Sequence, residues 1–384
     1  MSHELRSHPE PPGALDATGD AQVDGNRESR PFRFTGRAGE YFRIWIVNVC
    51  LSVVTLGLYG PWAKVRNRRY FYGNLELEGS VFQYDADPTR ILIGRLIVMG
   101  AFFVIAITDE FAPVTSGALA IAFAFLFPWM VVCSTAFHHR HSLYRGVRFR
   151  FSRSYGEAAV IFIGWPIVVA LTMGLLYPWW RGHRQQFLAG NSRFGGTRFE
   201  FDLKAGGYYA AYALAGLMVI VAVIACSFLG VADLLLHSLG VDPAEVRGSE
   251  WLRKSGLPPD AVSVTTMLAL GGSVGLLVGY AIVQARLTNL LYLQAALGKF
   301  RFRSDVRALG LLWIYLSSGV AIAASVGLLY PWTKVRMARY RANHLVLVGD
   351  GDLDAFVQGS EQEASRLGEV ADEAADAFDF DFGL

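Results

Sequence analysis

Three histidines and an arginine stand together at His138-His139-Arg140-His141, and imidazoles so close in sequence could ligate a divalent cation. Zinc and its relatives draw four ligands from Cys, His and carboxylates. Neither Cys nor carboxylate accompanies this cluster, and Arg145, Arg148, Arg150 and Arg153 follow it. The cluster therefore reads as the polar end of an apolar element, and no metal is assigned. Gly271-Gly272-Ser273-Val274-Gly275 spells the Gly-x-Ser-x-Gly nucleophile pattern. That pattern needs a strand before the serine and a histidine base. Here it lies inside an apolar run, so the hydrolase reading fails. Gly271, Gly275 and Gly279 recur at four-residue spacing, which suits close approach of two membrane helices. No phosphate loop, dinucleotide fingerprint, zinc-protease helix or haem pair is present, so no cofactor is assigned and an enzyme is not the preferred reading.

The strongest pattern is a motif written three times. Gly57-Leu58-Tyr59-Gly60-Pro61-Trp62 returns as Gly174-Leu175-Leu176-Tyr177-Pro178-Trp179 and as Gly327-Leu328-Leu329-Tyr330-Pro331-Trp332. Each copy closes an apolar run and is followed by basic residues: Lys64, Arg66 and Arg69; Arg184; and Lys334, Arg336 and Arg339. Tyr and Trp favour the membrane interface, and Lys and Arg just beyond it contact lipid phosphate. Interfacial anchoring is thus the plain reading. The sharper one is that the three motifs surround a pocket, with the basic residues holding an anionic substrate or head group. Arg95, four residues into its apolar run, reads as a snorkelling side chain.

Seven apolar runs carry these motifs: 41–62, 91–108, 113–136, 158–180, 208–232, 262–284 and 308–332. Each is long enough to cross a bilayer. Only 18% of the 384 residues are charged and 53% are hydrophobic, against roughly a quarter charged in soluble domains. Cys50, Cys133 and Cys226 lie inside apolar runs and act as small hydrophobes. The expected fold is therefore an all-α polytopic membrane protein of about seven helices, with short β-hairpin-like cytoplasmic segments.

Charge sets the topology. Lys and Arg concentrate on the cytoplasmic side, which places 63–90, 137–157, 181–207, 285–307 and 333–345 inside. The pairs 91–108/113–136 and 208–232/262–284 cross out and back, around loops carrying Asp109-Glu110 and Asp242, Glu245, Glu250 and Trp251. The Tyr-Pro-Trp runs conflict with the rule, being basic at both ends. Either they span and the rule breaks locally, giving inverted repeats of the kind transporters use, or they turn back at Gly and Pro. Their lengths favour spans.

The polar segments repeat as well. Asn74, Gly79 and Phe82 match Asn191, Gly196 and Phe199, and Gly146, Phe149 and Phe151 match Gly196, Phe199 and Phe201. A duplicated unit is implied, organised as a disordered segment over 1–31, a membrane domain over 32–348 (units 32–148, 149–301 and 302–348) and an acidic, disordered tail over 349–384. The tail carries eleven acidic residues and one Arg and ends Phe378-Asp379-Phe380-Asp381-Phe382-Gly383-Leu384.

Phe32-Arg33-Phe34-Thr35-Gly36, Gly39-Glu40-Tyr41-Phe42, Thr55-Leu56-Gly57-Leu58-Tyr59, Pro61-Trp62-Ala63-Lys64-Val65-Arg66, Arg69-Tyr70 and Asn74 resemble the YjgN family of bacterial inner-membrane proteins, defined by a domain of unknown function. The resemblance covers about 32–348. The second copy departs from it, with Trp180-Arg181-Gly182-His183 where the first has Ala63-Lys64-Val65-Arg66. The resemblance implies a multi-pass protein of the bacterial inner membrane and supplies no catalytic residues. Two functions are carried forward: a small-solute transporter or channel-like protein, and a non-transport lipid-binding or scaffold protein acting through its basic cytoplasmic face. The expected partners are membrane lipids with anionic head groups on the cytoplasmic side, and no nucleic acid. The substrate is left open, as is a homo-oligomer.

Overall fold

The computed structural model describes residues 28–239, 259–368 and 381. Its organising element is a closed barrel of ten antiparallel strands: β1 (Glu28–Phe34), β2 (Leu75–Leu77), β3 (Ser80–Tyr84), β4 (Ser142–Tyr144), β5 (Val147–Phe151), β6 (Ser192–Phe194), β7 (Thr197–Phe201), β8 (Ala295–Leu297), β9 (Phe300–Ser304) and β10 (Leu345–Gly349). The order is sequential, and β10 pairs with β1 to close the circle. The all-α expectation is therefore wrong. The polar segments it treated as isolated cytoplasmic hairpins are the staves of one barrel. A lone two-stranded hairpin is marginal in water, and closure removes the exposed edges that such short strands would leave.

Alternation builds the wall. In Val147-Arg148-Phe149-Arg150-Phe151 and Phe300-Arg301-Phe302-Arg303 the period of two turns the apolar residues inward and the arginines outward. Phe32, Phe82, Phe149, Phe199 and Phe302 occupy equivalent positions on β1, β3, β5, β7 and β9 and face the same interior. Ring centroids of neighbours lie 6.2 Å (Phe32–Phe82), 6.5 Å (Phe149–Phe199) and 6.2 Å (Phe199–Phe302) apart. Tyr144 and Phe194 bridge Phe82 to Phe149. Tight turns join the units. Glu78-Gly79 and Arg145-Gly146 both have positive φ at each residue, the geometry that follows strand twist.

Each long strand leads into a helical hairpin that returns to a short strand. There are five: α1 (Ala38–Val54) with α2 (Gly60–Gly73); α3 (Pro88–Phe111) with α4 (Pro113–Arg140); α5 (Tyr155–Leu171) with α6 (Tyr177–Gly190); α7 (Ala205–Ser238) with α8 (Pro259–Leu293); and α9 (Ala308–Ala324) with α10 (Tyr330–Asn343). Neighbouring hairpins pack side by side around the circle, α10 against α1 included. One ladder bond recurs in all five units. The N–H groups of Thr35, Asp85, Ser152, Asp202 and Asp305 donate to the carbonyls of Asn74, His141, Asn191, Gln294 and His344 at 2.8–3.2 Å. The sequence repeat of three units is thus a structural repeat of five, each of the first two sequence units containing a short and a long hairpin.

Among the described residues four helices have the length and apolarity to cross a membrane: Pro88–Phe111, Pro113–Arg140, Ala205–Val231 and Thr266–Leu293. The three Tyr-Pro-Trp runs do not continue as helices. Each breaks after about 25 Å, from 17 residues at 1.5 Å per residue, and reverses. This corrects the expectation of seven spans and of inverted repeats. It also removes the charge conflict, because a run that returns keeps both basic flanks on one side.

A further helix, α11 (Leu353–Gly368), lies in the stretch read from sequence as acidic tail. Its apolar face enters the barrel core through Leu353, Phe356 and Val357. Ser360 carbonyl accepts from Gly196 N–H at 2.9 Å, and an added Cβ on Gly195 would fall 2.4 Å from that carbonyl oxygen. Arg145 ties the helix down through Asp354 and Glu78. Of the segment expected to be disordered at the start, 28–31 belong to β1, while 1–27 and the loop carrying Asp242, Glu245, Glu250 and Trp251 lie outside the described residues.

Candidate functional site

The turn of each short hairpin follows from its residues. Leu56 and Gly57 have φ of 51° and 89°, Met173 and Gly174 48° and 88°, Val326 and Gly327 51° and 89°. Gly57 N–H donates to Ser52 carbonyl and Leu56 N–H to Val53 carbonyl, the paired bonds of a Schellman close; the other two copies repeat them. Thr55 Oγ1 and Ser325 Oγ then accept the N–H groups of Tyr59 and Leu329 at 3.0 Å. Pro61, Pro178 and Pro331 sit in the first turn of the returning helix, where their missing N–H costs nothing. The return is tied across: Asn48 Nδ2 donates to Asn67 Oδ1 at 3.2 Å and Arg336 Nη1 to Ser317 Oγ at 2.6 Å.

The second copy differs for a local reason. Val160–Gly164 forms one π turn, and Trp180 Nε1 donates to Ile161 carbonyl within it at 2.7 Å. Trp180 stands where the first copy has Ala63. Gly182, in the place of Val65, faces Leu203 and Tyr208, and a Cβ there would come 2.9 Å from Leu203.

The first copy differs too. With the glycines and prolines aligned, Gly60 occupies the place of Tyr177 and Tyr330. A Cβ on Gly60 would lie 2.5 Å from Arg95 Nη1, which also reaches Gly57 carbonyl at 3.4 Å. Arg95 thus leans over the first turn, a role its sequence position did not suggest.

The basic residues separate by geometry. Arg69 donates to the carbonyls of Tyr84 (3.2 Å) and Ala86 (3.4 Å), and Arg339 to Gly36 carbonyl at 2.9 Å. These positions are equivalent, and both fasten a returning helix to the next unit. Arg66 donates to Tyr59 hydroxyl at 3.1 Å, and Tyr59 stacks on Trp62. Arg184 lies over the Phe162 ring, Lys334 over Tyr330 and Arg336 over Trp332 at 5.1 Å. Lys64 holds Asp381. Gly271, Gly275 and Gly279 line the face of α8 that meets α7, where added methyls would lie 2.8–3.2 Å from Ala222, Cys226, Val219 or Ala215 atoms.

The three motifs do not share one pocket wall. The first and third are neighbours, Trp45 and Tyr330 being 6.2 Å apart. The second packs with Tyr212, Trp165 and His183. Two rim grooves flank them. One, of about 590 Å³, lies beside α10 and is lined by Arg37, Trp313, Trp332, Arg336, Arg339 and Tyr340. The other, of about 760 Å³, is lined by Glu157, Trp165, His183, Arg198 and Glu200 among others. The three histidines after Phe137 diverge: His138 meets Tyr84 hydroxyl, His139 Ser192 hydroxyl and His141 Asp85 carbonyl. Among the described residues no group of His, Cys, Asp and Glu is placed to hold a metal.

A barrel ringed by helical hairpins, four of whose described helices are long and apolar enough to cross a bilayer, suits a membrane protein. The chain matches the family model described as bacterial protein of unknown function (DUF898) over residues 29–374, and it belongs to that family. It is 26% identical to the Salmonella typhimurium inner membrane protein YjgN over 360 residues, covering 83% of this chain and 88% of that one. It is 24% identical to the inner membrane protein YjgN of Escherichia coli K12 over 369 residues, 87% of this chain and 92% of that one. No solved structure matches it.

Proposed function

We propose that this bacterial inner-membrane protein binds anionic lipid head groups along its basic rim and does not transport a solute. The observation that carries the reading is the groove beside α10. There the Arg336 guanidinium lies 5.1 Å from the Trp332 ring with Arg37 and Arg339 on the same wall. An aromatic ring at the interface with arginines beside it suits a lipid phosphate. Transport drew its support from full spans and inverted repeats, and the short hairpins turn back instead. The barrel interior is lined by the phenylalanine ring with Leu353 and Val357, and the buried Arg30 on β1 is ion-paired to Glu28 and Glu78 over the Phe300 ring.

The test is lipid retention by the full chain. Protein extracted from mixed phosphatidylcholine and phosphatidylglycerol bilayers is weighed by native mass spectrometry. Retention of phosphatidylglycerol over phosphatidylcholine, reduced several-fold in Arg336→Gln, supports the reading. Equal retention of both lipids, or an unchanged pattern in the variant, overturns it.

A further inference from the structure

Asp381 lies far beyond α11, yet its side chain is fully buried. Burying a carboxylate costs several kcal/mol unless donors replace its water. Here three do. Lys64 Nζ, on α2, lies 2.6 Å from Oδ2, His138 Nε2 lies 3.3 Å from the same oxygen, and Ser134 Oγ donates to Oδ1. Ser134 and His138 are one turn apart on α4 and face the same way. Behind them Tyr84 hydroxyl meets His138 Nδ1 at 2.9 Å, and Arg68, one turn from Lys64, sits 5.4 Å from the Tyr84 ring.

These partners belong to the body of the fold and stay when the tail leaves. Ser134 is 2% exposed and the His138 side chain 14%. In the docked arrangement the Ser134 hydroxyl finds its acceptor in Asp381. Among the described residues the fixed cations beside the site are Lys64, paired with Asp381, and Arg68, over Tyr84, a formal +2 against one carboxylate. A phosphate group carries about −1.5 to −2 and three acceptor oxygens, so it matches the site better than the carboxylate that fills it.

We propose that Lys64, Ser134 and His138 form a binding site for a phosphate group, and that Asp381 is a tethered occupant that holds it closed. Phosphate reaches the site by displacing the tail. A group covalently attached to the same chain competes at an effective concentration of about the millimolar range, so the intact chain binds phosphate weakly and release of Asp381 exposes the full affinity. This site is distinct from the Arg336 groove and does not depend on it.

The experiment compares the full chain with Asp381→Asn in phosphatidylcholine nanodiscs, titrating inorganic phosphate by calorimetry. Binding at least tenfold tighter in Asp381→Asn, abolished by adding Lys64→Gln, is the expected result. A parallel arm replaces free phosphate with nanodiscs containing phosphatidylglycerol and follows a spin-label pair on Asn67→Cys and Phe378→Cys in a background lacking native cysteines. An increase in the pair's separation there identifies a lipid head group as the source, whereas an increase only on adding inorganic phosphate identifies a soluble one. Two results would each overturn the proposal: equal phosphate affinity in the full chain and Asp381→Asn, or tighter binding that survives Lys64→Gln.

Discussion

Arg339 donates to the carbonyl of Gly36, 303 residues earlier in the chain, at 2.9 Å. Arg69 makes the equivalent bond to Ala86 at 3.4 Å. The first joins the last unit to the first and the second joins the first unit to the next, so the same side chain that links neighbours also seals the circle. Sequence-distant closure of this kind carries the largest loop-entropy cost in the fold. Arg339→Gln is therefore expected to destabilise the protein by about 1 kcal/mol, read as a lower thermal midpoint. Arg66→Gln, which loses only a bond to Tyr59 within its own hairpin, should shift it less. Equal shifts would remove the closing role.

The returning hairpins make a topological prediction. With Cys50, Cys133 and Cys226 replaced, single cysteines at Gly39 and Asn67 flank the first Tyr-Pro-Trp turn. Because Asn67 bonds Asn48 across the two antiparallel helices, both sites lie on one side. Neither should react with an impermeant thiol reagent in intact cells, and both should react once the cytoplasmic face is opened. Labelling of one alone from outside would restore the full span.

The same turns can be tested for strain. Gly57, Gly174 and Gly327 sit at φ of 88–89°, where a Cβ costs about 1–2 kcal/mol. Gly57→Ala and Gly327→Ala should each lower stability by that order, while Gly39→Ala, with open space around it, should not. Differential scanning of the three variants decides the point.

Much of this was legible in the residues. The Gly-to-Trp motif marked the three equivalent hairpins, and the two-fold charge flanks already held the evidence that those runs return. Length outweighed charge in the reading because a 17-residue helix, a five-residue turn and the first turn of a second helix add up to an uninterrupted apolar stretch. The barrel was not legible. Its strands are three to seven residues long and lie far apart in the sequence, so each looks like an isolated hairpin. Pairing of β10 with β1 leaves no local signal. Asp381 was hidden for a different reason: an acidic, Phe-rich end reads as solvated tail, and only the positions of Lys64, Ser134 and His138 reveal a seat for it.

The barrel core gives a direct stability test. Phe32 is 5% exposed and stands in the ring of five equivalent phenylalanines, against Phe82. Phe32→Ala removes a buried aromatic and opens a cavity, at a cost of about 3–5 kcal/mol. Substituting Val81, which lies on the same wall but is 40% exposed, with Ala should cost less than 1 kcal/mol by lost burial alone. A small effect at Phe32 would mean that the ring does not support the barrel.

The docked tail has a defined response to acid. Burial alone would raise the Asp381 carboxyl, but hydrogen bonds from His138, Lys64 and Ser134, with the charges around them, outweigh it and hold the group well below its ordinary 3.8. A carboxyl whose value is depressed in the docked state contributes its stabilisation above the free value and loses it as pH falls through the docked one. The groups that face it are Lys64 and Arg68 on α2, Ser134 and His138 on α4, and Tyr84 on β3. Burial pushes the Tyr84 hydroxyl up to about 12, so it stays protonated throughout this range. A proton gained by His138 adds attraction and does not release the tail. The Asn67–Phe378 spin-label distance should therefore hold steady from pH 8 to pH 5 and lengthen only below about pH 4. In Asp381→Asn no such acid step should remain. Release between pH 7 and pH 5 would assign the docking to some other group and sink the carboxylate account.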